Sequence, residues 1–423
     1  MRQIFISLLA LTAMLPAIAQ TRAVSEGPVV SVIVGDTTRA RDAEKEFREN
    51  APRQAKENGL PRFAIIGKEN KYYLGIGAQF LGNAVYDFGD NMPSVYCFAP
   101  SSLTVPSAGC GSSLRFSALQ SSIYINAVAL PGTEDRVGLF FKAKLHDGED
   151  YGFHLSHFYV TYRGFMVGYT SSIFTDGEAM PYTIDGEGPN GSVDLTAFTA
   201  AYTHAFGKSF SGGIGIDAPS ADISTGHGVG TVTQRAPAIP LYLQYAFPES
   251  AGHVRLSGLI RPIQYRDRID DTNRTPCGWG LQLSGYGKVA SPLTLYAAAV
   301  YGRGVSDYIQ DDTDLGLDAL PRADRPGHSS LTRSFGITGG ATVNFSDRLA
   351  LNAVYSHAVN FFDDGVAVPS EQYRYGDYLA TNLVYTISRI VGVGIEYDYG
   401  HRKSFGGESL HANRVQALLS VTF

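Results

Sequence analysis

His154 and His157 come closest in this sequence to a pair that could share chemistry, because two imidazoles can pass a proton or hold one ligand between them. They lie in "YGFHLSHFYVTY", which alternates like a strand, and a spacing of three along a strand sends side chains to opposite faces. Without a bulge the pair shares nothing. No GxSxG, HExxH or P-loop sequence occurs, no Cys/His spacing suits a metal, and "GGIGID" lacks the helix that phosphate cradling needs. These residues imply neither an enzyme nor a cofactor.

The remaining chemistry is electrostatic. Alternation sets Lys142 and Lys144 opposite Phe141, Ala143 and Leu145, and sets Arg255 and Arg261 opposite Val254, Leu256 and Ile260. Lys288, Arg402 and Arg414 follow in the same way, and Arg303 and Arg374 join them on strands that alternate poorly. On this polar face they outnumber the acids Asp87, Glu396 and Asp398. Carboxylates concentrate elsewhere: residues 310–328 carry five Asp against two Arg, and 175–193 and 362–372 carry four and three acids with no base. The net charge of -6 thus hides a segregation into basic strands and acidic connections.

The elements that position these residues are strands. With 25 Tyr, 23 Phe and 47 Gly, one Trp, 17% charged residues and a mean hydropathy of -0.06, the chain is rich in strand and turn formers and only averagely apolar. Alternating segments are expected at 73–88, 112–128, 136–146, 151–163, 164–174, 193–206, 209–223, 236–248, 252–267, 278–290, 293–309, 330–345, 349–361, 373–387, 391–403 and 411–423. Connections after the even segments are tight ("PGTED", "RG", "GKS", "PESAG", "SP", "SDR", "SRI"), and most of those after the odd ones are longer and rich in Asp, Gly and Pro.

An even count with two-sided connections is the pattern of a transmembrane antiparallel β-barrel of about 16 strands. The greasy face then points outward and the charged face into the lumen, the reverse of a soluble barrel. Phe206, Tyr245, Phe247, Phe345 and Phe423 fall near the inner ends, where an aromatic girdle belongs.

The termini agree with a barrel of the outer membrane of a Gram-negative bacterium. Arg2 precedes an apolar run from Ile4 to Ala19 that ends Ala17-Ile18-Ala19, the form of a signal peptide over residues 1–19. Residues 20–70 read as a short periplasmic α/β segment: "VVSVIV" as a strand, and "DTTRARDAEKEFREN" as a helix with Ala40, Ala43 and Phe47 on one stripe, stopped by Pro52. That segment is either a mobile extension or a packed or oligomerising element. The barrel is expected over 71–423 and ends on Phe423, a belt residue that resembles the terminal aromatic signature of outer-membrane barrel proteins; that resemblance implies an outer-membrane assembly signal read by the barrel-assembly machinery. Cys97 and Cys110 flank a Pro/Ser/Gly-rich stretch and could form a disulfide, leaving Cys277; three pairings are open, as is the state with all three free.

The stretch "FAIIGKENKYYLGIGAQFLGNAVYDFGD", an apolar hairpin entering a Gly-punctuated strand that ends Tyr-Asp, resembles the opening of the DcaP-like porins. The resemblance implies a sixteen-stranded outer-membrane channel, a homotrimer and a preference for anions. Where members of that family carry an N-terminal coiled coil, this chain has a brief helix.

A barrel of this size is wide enough for a water-filled channel, and rings of Lys and Arg in a pore favour anions. The expected function is passive diffusion of small hydrophilic, preferentially anionic solutes such as carboxylates. Outer-membrane lipid and lipopolysaccharide surround such a barrel, and the acidic charge argues against nucleic acid. Loop "TDGEAMPYTIDGEGPNGSV" either folds inward, setting its carboxylates against the basic wall, or stays outside as a solvated surface. The alternative function is a surface adhesin or structural barrel with a closed lumen.

Overall fold

The computed structural model describes residues 31–32, 37–52, 60–61, 63–67, 71–89, 91–105 and 111–423. The expected signal peptide and Cys110, and with Cys110 the proposed bridge to Cys97, lie outside the described residues. Among the described residues Cys97 and Cys277 form no disulfide with each other.

Sixteen strands form one closed antiparallel barrel, each matching one expected segment. They are β1 (Tyr72–Asp87), β2 (Ser113–Ser117 and Ser122–Ala129), β3 (Val137–Asp147), β4 (Asp150–Tyr162), β5 (Phe165–Ser171) and β6 (Thr196–Ala205). Then come β7 (Phe210–Asp217), β8 (Ile239–Ala246), β9 (Gly252–Pro262), β10 (Cys277–Ala290) and β11 (Leu293–Arg303). The last five are β12 (Arg333–Ser346), β13 (Leu349–Phe361), β14 (Tyr373–Thr386), β15 (Val391–Ser404) and β16 (Ser409–Thr422). Each pairs with its chain neighbour, and β16 closes on β1 from Arg414↔Asp87 to Thr422↔Gln79. Closure leaves no open edge in the hydrocarbon, where an unpaired backbone group would be costly.

The inside-out pattern is plain in the burial. Leu241 and Leu243 on β8, Val254 and Leu256 on β9, and Leu281 and Leu283 on β10 point outward and are exposed, while Arg255, Ser257, Gln282 and Ser284 between them are buried inside. Leu418 breaks the apolar alternation of β16 because it faces inward with Arg414 and Gln416.

Three strands stop earlier than their periodicity suggested. β7, β9 and β11 end at Asp217, Pro262 and Arg303 rather than at 223, 267 and 309. Past Pro262 the expected segment continues as a short hairpin outside the barrel ladder, Tyr265–Asp267 with Thr272–Arg274, and Ile223, Ile263, Tyr265, Val305, Tyr308 and Ile309, which carry the alternation on, are buried in two clusters. Alternating burial looks the same in sequence whether it comes from a wall strand or from a loop packed inside.

Helix α1 (Thr37–Asn50) also lies inside. Ala43, Phe47 and Ala51, spaced by four, make one buried stripe, and Glu44 with Arg48 and Lys45 with Glu49 form i,i+4 pairs on the other side. Phe47 packs edge-on against Tyr73, where Gly75 offers no side chain to obstruct it. Asn50 closes the helix by donating to Asn126 Oδ1 (2.7 Å) and Leu139 O (3.0 Å), and its carbonyl accepts Tyr159 Oη–H (2.7 Å). Phe63–Ile66 pairs with β1 as the expected hairpin, over the stretch that β16 is too short to cover, and Ser31–Val32 pairs with it in parallel. Of the alternatives open in sequence, the packed one holds for the described part of this segment. The chain ends with Phe423 N–H donating to Ala78 O (2.8 Å) and its ring exposed on the outside.

Candidate functional site

The lumen is the one enclosed space in which the inward-facing charges can act, and its shape is set by three loops that fold into it. Loop 172–195 leaves β5 and runs across the inner faces of β9 to β15. It lies flat because the wall there is built of glycine. A Cβ on Gly336 would stand 2.2 Å from Gly191 O, and one on Gly394 would stand 2.7 Å from Ile184 Cδ1. Glu396 fixes the tip by accepting Ile184 N–H (2.8 Å) and Asp185 N–H (2.6 Å), Ser356 Oγ accepts Gly191 N–H (2.8 Å), and Asn190 Nδ2 donates to Gly376 O (3.0 Å). At its base Asp176 meets His253 Nε2 (2.8 Å) and accepts Ser284 Oγ–H (2.6 Å). Between the two placements open in sequence, the structure selects the inward one.

Residues 91–105 lie beside it, with Phe98 N–H donating to Asp185 Oδ1 (2.8 Å) and the Phe98 ring over Gly400. Loop 304–332 completes the packing. Asp311 accepts Ser101 N–H and Tyr373 Oη–H, and Asp312 accepts Asn360 Nδ2–H (2.8 Å). The sequence expectation of acidic connections outside a basic lumen is therefore corrected: Asp307, Asp311, Asp312 and Asp318 are buried inside the barrel. Their wall partners are polar or basic, and burying them unpaired would cost several kcal/mol each.

These loops divide the inward bases. Arg261 is buried between Asp307 (2.8 Å) and Asp318 (2.7 Å), and Arg414 donates to Asp87 Oδ1 (2.7 Å) and to Cys97 O and Ser94 O. Arg402 donates to Leu103 O and Glu371 O. Arg255 holds the base of loop 172–195 through Ile173 O (2.6 Å), with its guanidinium 3.7 Å from the Tyr242 ring centre. Lys288 shares the inward parity of Gln282 and Ser284 and is exposed at the inner end of β10. Arg303 has the parity of Trp279 and Tyr301 and sits on the outward rim with Asp363, and Arg374 falls in a β-bulge, skipped by the register between Tyr373 and Tyr375. Poor alternation at these two positions reflects the strand's end in one case and the bulge in the other.

Lys142 and Lys144 share the inward face of their partners Tyr124 and Ser122, half-buried, with Lys144 near Asp194 of loop 172–195, and neither has an ion-pair partner within 4 Å among the described residues. Beside them the β3–β4 register steps from Lys142↔His157 to Ala143↔Leu155 and leaves Ser156 unpaired. This bulge turns His154 inward together with His157, against the expectation of opposite faces. His154 stacks on His146 (4.8 Å between centres, 12°), and His157 Nδ1 lies 3.0 Å from Thr170 Oγ1. No signal in the sequence marks the bulge.

Across the gap the loop carboxyls are held above their ordinary range. Burial pushes Asp194 up to about 6, against the pull of Lys144 and helped by Glu187. Burial, with the negative charge of Glu396 beside it, pushes Asp185 up to about 7. These acids are therefore partly neutral at pH 7.

Below this gap a cavity of about 630 Å³ extends between Tyr242 and Arg255 and the C-terminal end of α1. The helix therefore borders the route on the inner side, held there by Phe47 and by the Arg136–Glu46 ion pair. Truncating Phe47 to alanine removes about 3–5 kcal/mol of packing, more than a short helix supplies on its own. The expected result is a helix undocked from the wall, seen as faster proteolysis within 37–52 and as higher single-channel conductance than wild type.

A closed barrel of sixteen antiparallel strands, apolar outside and polar inside, with a loop folded into its lumen, is the architecture of an outer-membrane diffusion channel. The chain belongs to the Porin subfamily, which residues 132–417 match over more than half of the sequence. Its fold is similar to that of the outer membrane channel DcaP of Acinetobacter baumannii, at 20% identity and a TM-score of 0.71, over 84% of this chain and 99% of that one. It is also similar to an anion-selective porin from Comamonas acidovorans (10% identity, TM-score 0.54, 83% and 100% covered). OmpT of Vibrio cholerae is a third (12%, 0.53, 85% and 99%). No curated protein matches the sequence. The protein is a porin-type outer-membrane barrel for solute passage and not an enzyme.

Proposed function

We propose that this porin passes small hydrophilic solutes with a preference for anions, selected where Lys142 and Lys144 face loop 172–195. The observation that carries the reading is the asymmetry of pairing: most inward arginines are engaged by buried acids or carbonyls, whereas the two lysines on β3 have no ion-pair partner within 4 Å among the described residues. Unpaired bases in a narrow aqueous gap lower the barrier for an anion. Asp185 and Asp194 opposite them supply a transverse field that orients dipolar solutes, such as carboxylates carrying hydroxyl or amino groups. Anion selectivity in the Comamonas acidovorans porin of similar fold supports the reading. The DcaP-like resemblance supports a homotrimer, delivered to the membrane by the barrel-assembly machinery through Phe423.

Planar-bilayer conductance under a salt gradient tests this. An anion-selective reversal potential is expected at pH 7; cation selectivity would overturn the reading, and a folded barrel without conductance would overturn the open channel. Acidification has a definite sign. Because the carboxyl of Asp194 is raised to about 6 and that of Asp185 to about 7, both lose negative charge as pH falls through those values. Anion selectivity is expected to increase from pH 8 to pH 5. Asp194→Asn should shift the reversal potential at pH 8 toward its value at pH 5 and flatten the titration.

A further inference from the structure

The outward face of β13–β16 carries a polar cluster that transport does not use. Asp377 accepts Tyr355 Oη–H (2.8 Å) and bonds to His357 Nδ1 (2.9 Å) and His401 Nδ1 (3.0 Å). The His401 ring stacks on His411, 4.6 Å between centres and 14° apart, and His411 Nδ1 meets Tyr399 Oη (2.8 Å). Lys403 stands one row above, opposite Ser409 on β16 and Tyr375 on β14. All share the parity of Leu383, Ile395 and Leu419, so they lie on the membrane side of the wall. Comparable outward positions on β8 and β9 are Ile239, Leu243, Val254 and Ile260.

Height identifies what meets this cluster. His401↔His411 is the fifth outward row above Val391↔Val421 at the inner end. Two residues per row on a strand tilted by roughly 40° rise about 5 Å, which puts the cluster about 25 Å above the inner boundary, the height of the apolar band of such a barrel. Tyr355 and Tyr399 lie in the row just beneath it, and Tyr397 one row lower. The histidines and Lys403 are therefore level with the headgroups of the outer leaflet.

We propose that this patch docks a phosphorylated lipid headgroup of the outer leaflet. Asp377 is fully engaged by its three donors, so it orients His357 and His401 and leaves Lys403 and the Nε2 atoms of His357 and His411 facing outward without a protein partner among the described residues. The His401 and His411 rings, 4.6 Å apart, set two imidazoles side by side where a phosphate can bridge them. From His357 on β13 to His411 on β16 the patch spans three strand spacings, about 14 Å, enough to meet a headgroup with more than one phosphate. Groups facing the site are Tyr355 and His357 from β13, Tyr375 and Asp377 from β14, Tyr399, His401 and Lys403 from β15, and His411 from β16, with Arg374 exposed at the β14 bulge.

Native mass spectrometry of the refolded full chain with bisphosphorylated lipid A, and separately with its dephosphorylated form, tests the assignment. Wild type is expected to retain the phosphorylated lipid at least about tenfold better, since each basic group near an anionic headgroup is worth about fivefold. Lys403→Gln and His411→Gln should each cost about fivefold, with heat-modifiable mobility and conductance unchanged. Inorganic phosphate should not compete, and effective competition would overturn the lipid in favour of a free anion. Equal retention of the two lipids, or by the variants, would overturn the proposal. So would a change in oligomeric mass in the variants with lipid retention unaltered, which would make this face a contact between copies of the chain.

Discussion

Replacing Lys142 and Lys144 together with glutamate is expected to invert the selectivity of the channel, from anion-selective to cation-selective, at neutral pH. Each substitution changes a charge of +1 to -1, so the local sum moves by four. A unit charge about 8 Å from a permeating ion, at an effective dielectric constant near 20, contributes about 2 kcal/mol, well over a factor of ten in relative permeability. No compensation is built in, because neither lysine has an ion-pair partner whose release would offset the loss. Lys288→Glu, at the exposed inner end of β10, serves as the comparison and should move the reversal potential far less, since bulk water screens it. A double variant that folds and still shows the wild-type reversal potential would place selection elsewhere along the lumen.

Arg261→Ala is expected to have the largest structural effect of any single change inside the barrel. The guanidinium is buried, forks between Asp307 and Asp318, donates to Gly304 O (3.2 Å) and Ser220 O (3.0 Å), and lies 5.2 Å from the Tyr308 ring centre. Its removal leaves two buried carboxylates without their cation, and breaking a buried pair in this way costs about 3–5 kcal/mol. The wall keeps all of its ladder bonds, so the barrel should still form and show heat-modifiable mobility. Loop 304–332 should instead come loose, giving rapid proteolysis in that loop and conductance that flickers between levels. Asp318→Asn, which keeps an oxygen to accept from Arg261 and leaves Asp307 paired, should be milder. A loop that stays protected in Arg261→Ala would show that the apolar cluster of Val305, Tyr308 and Ile309 holds it alone.

These predictions rest on features that the sequence disclosed unequally. The β13–β16 quarter of the barrel was the most legible, because the strands there are long and alternate strictly: Val393, Ile395, Tyr397 and Tyr399 against Glu396 and Asp398 permit one orientation only. Arg255 and Arg261 were placed on the inner face by the same rule, and Asp217, Ile263 and Arg303 show where it stops. Beyond those points residues still alternate, but in loops and, at Tyr265–Asp267, in a hairpin apart from the barrel ladder, and a period of two does not say which wall a residue leans on.

What the sequence determined by itself was the barrel: its strand number, the sidedness of its turns and the face each strand shows to the membrane. Those follow from local alternation and turn chemistry, which each segment carries within itself. What only the tertiary structure decided was the lumen. The inward course of loop 172–195 depends on the glycines Gly336 and Gly394 and the acceptor Glu396, each about 150 residues or more away in sequence. The shared face of His154 and His157 depends on one unpaired residue, Ser156. Which bases remain available to a solute depends on which acids arrive from distant loops. Pairing of charges across a closed wall is a property of three-dimensional contact, so a count of Lys and Arg against Asp and Glu along the chain does not contain it.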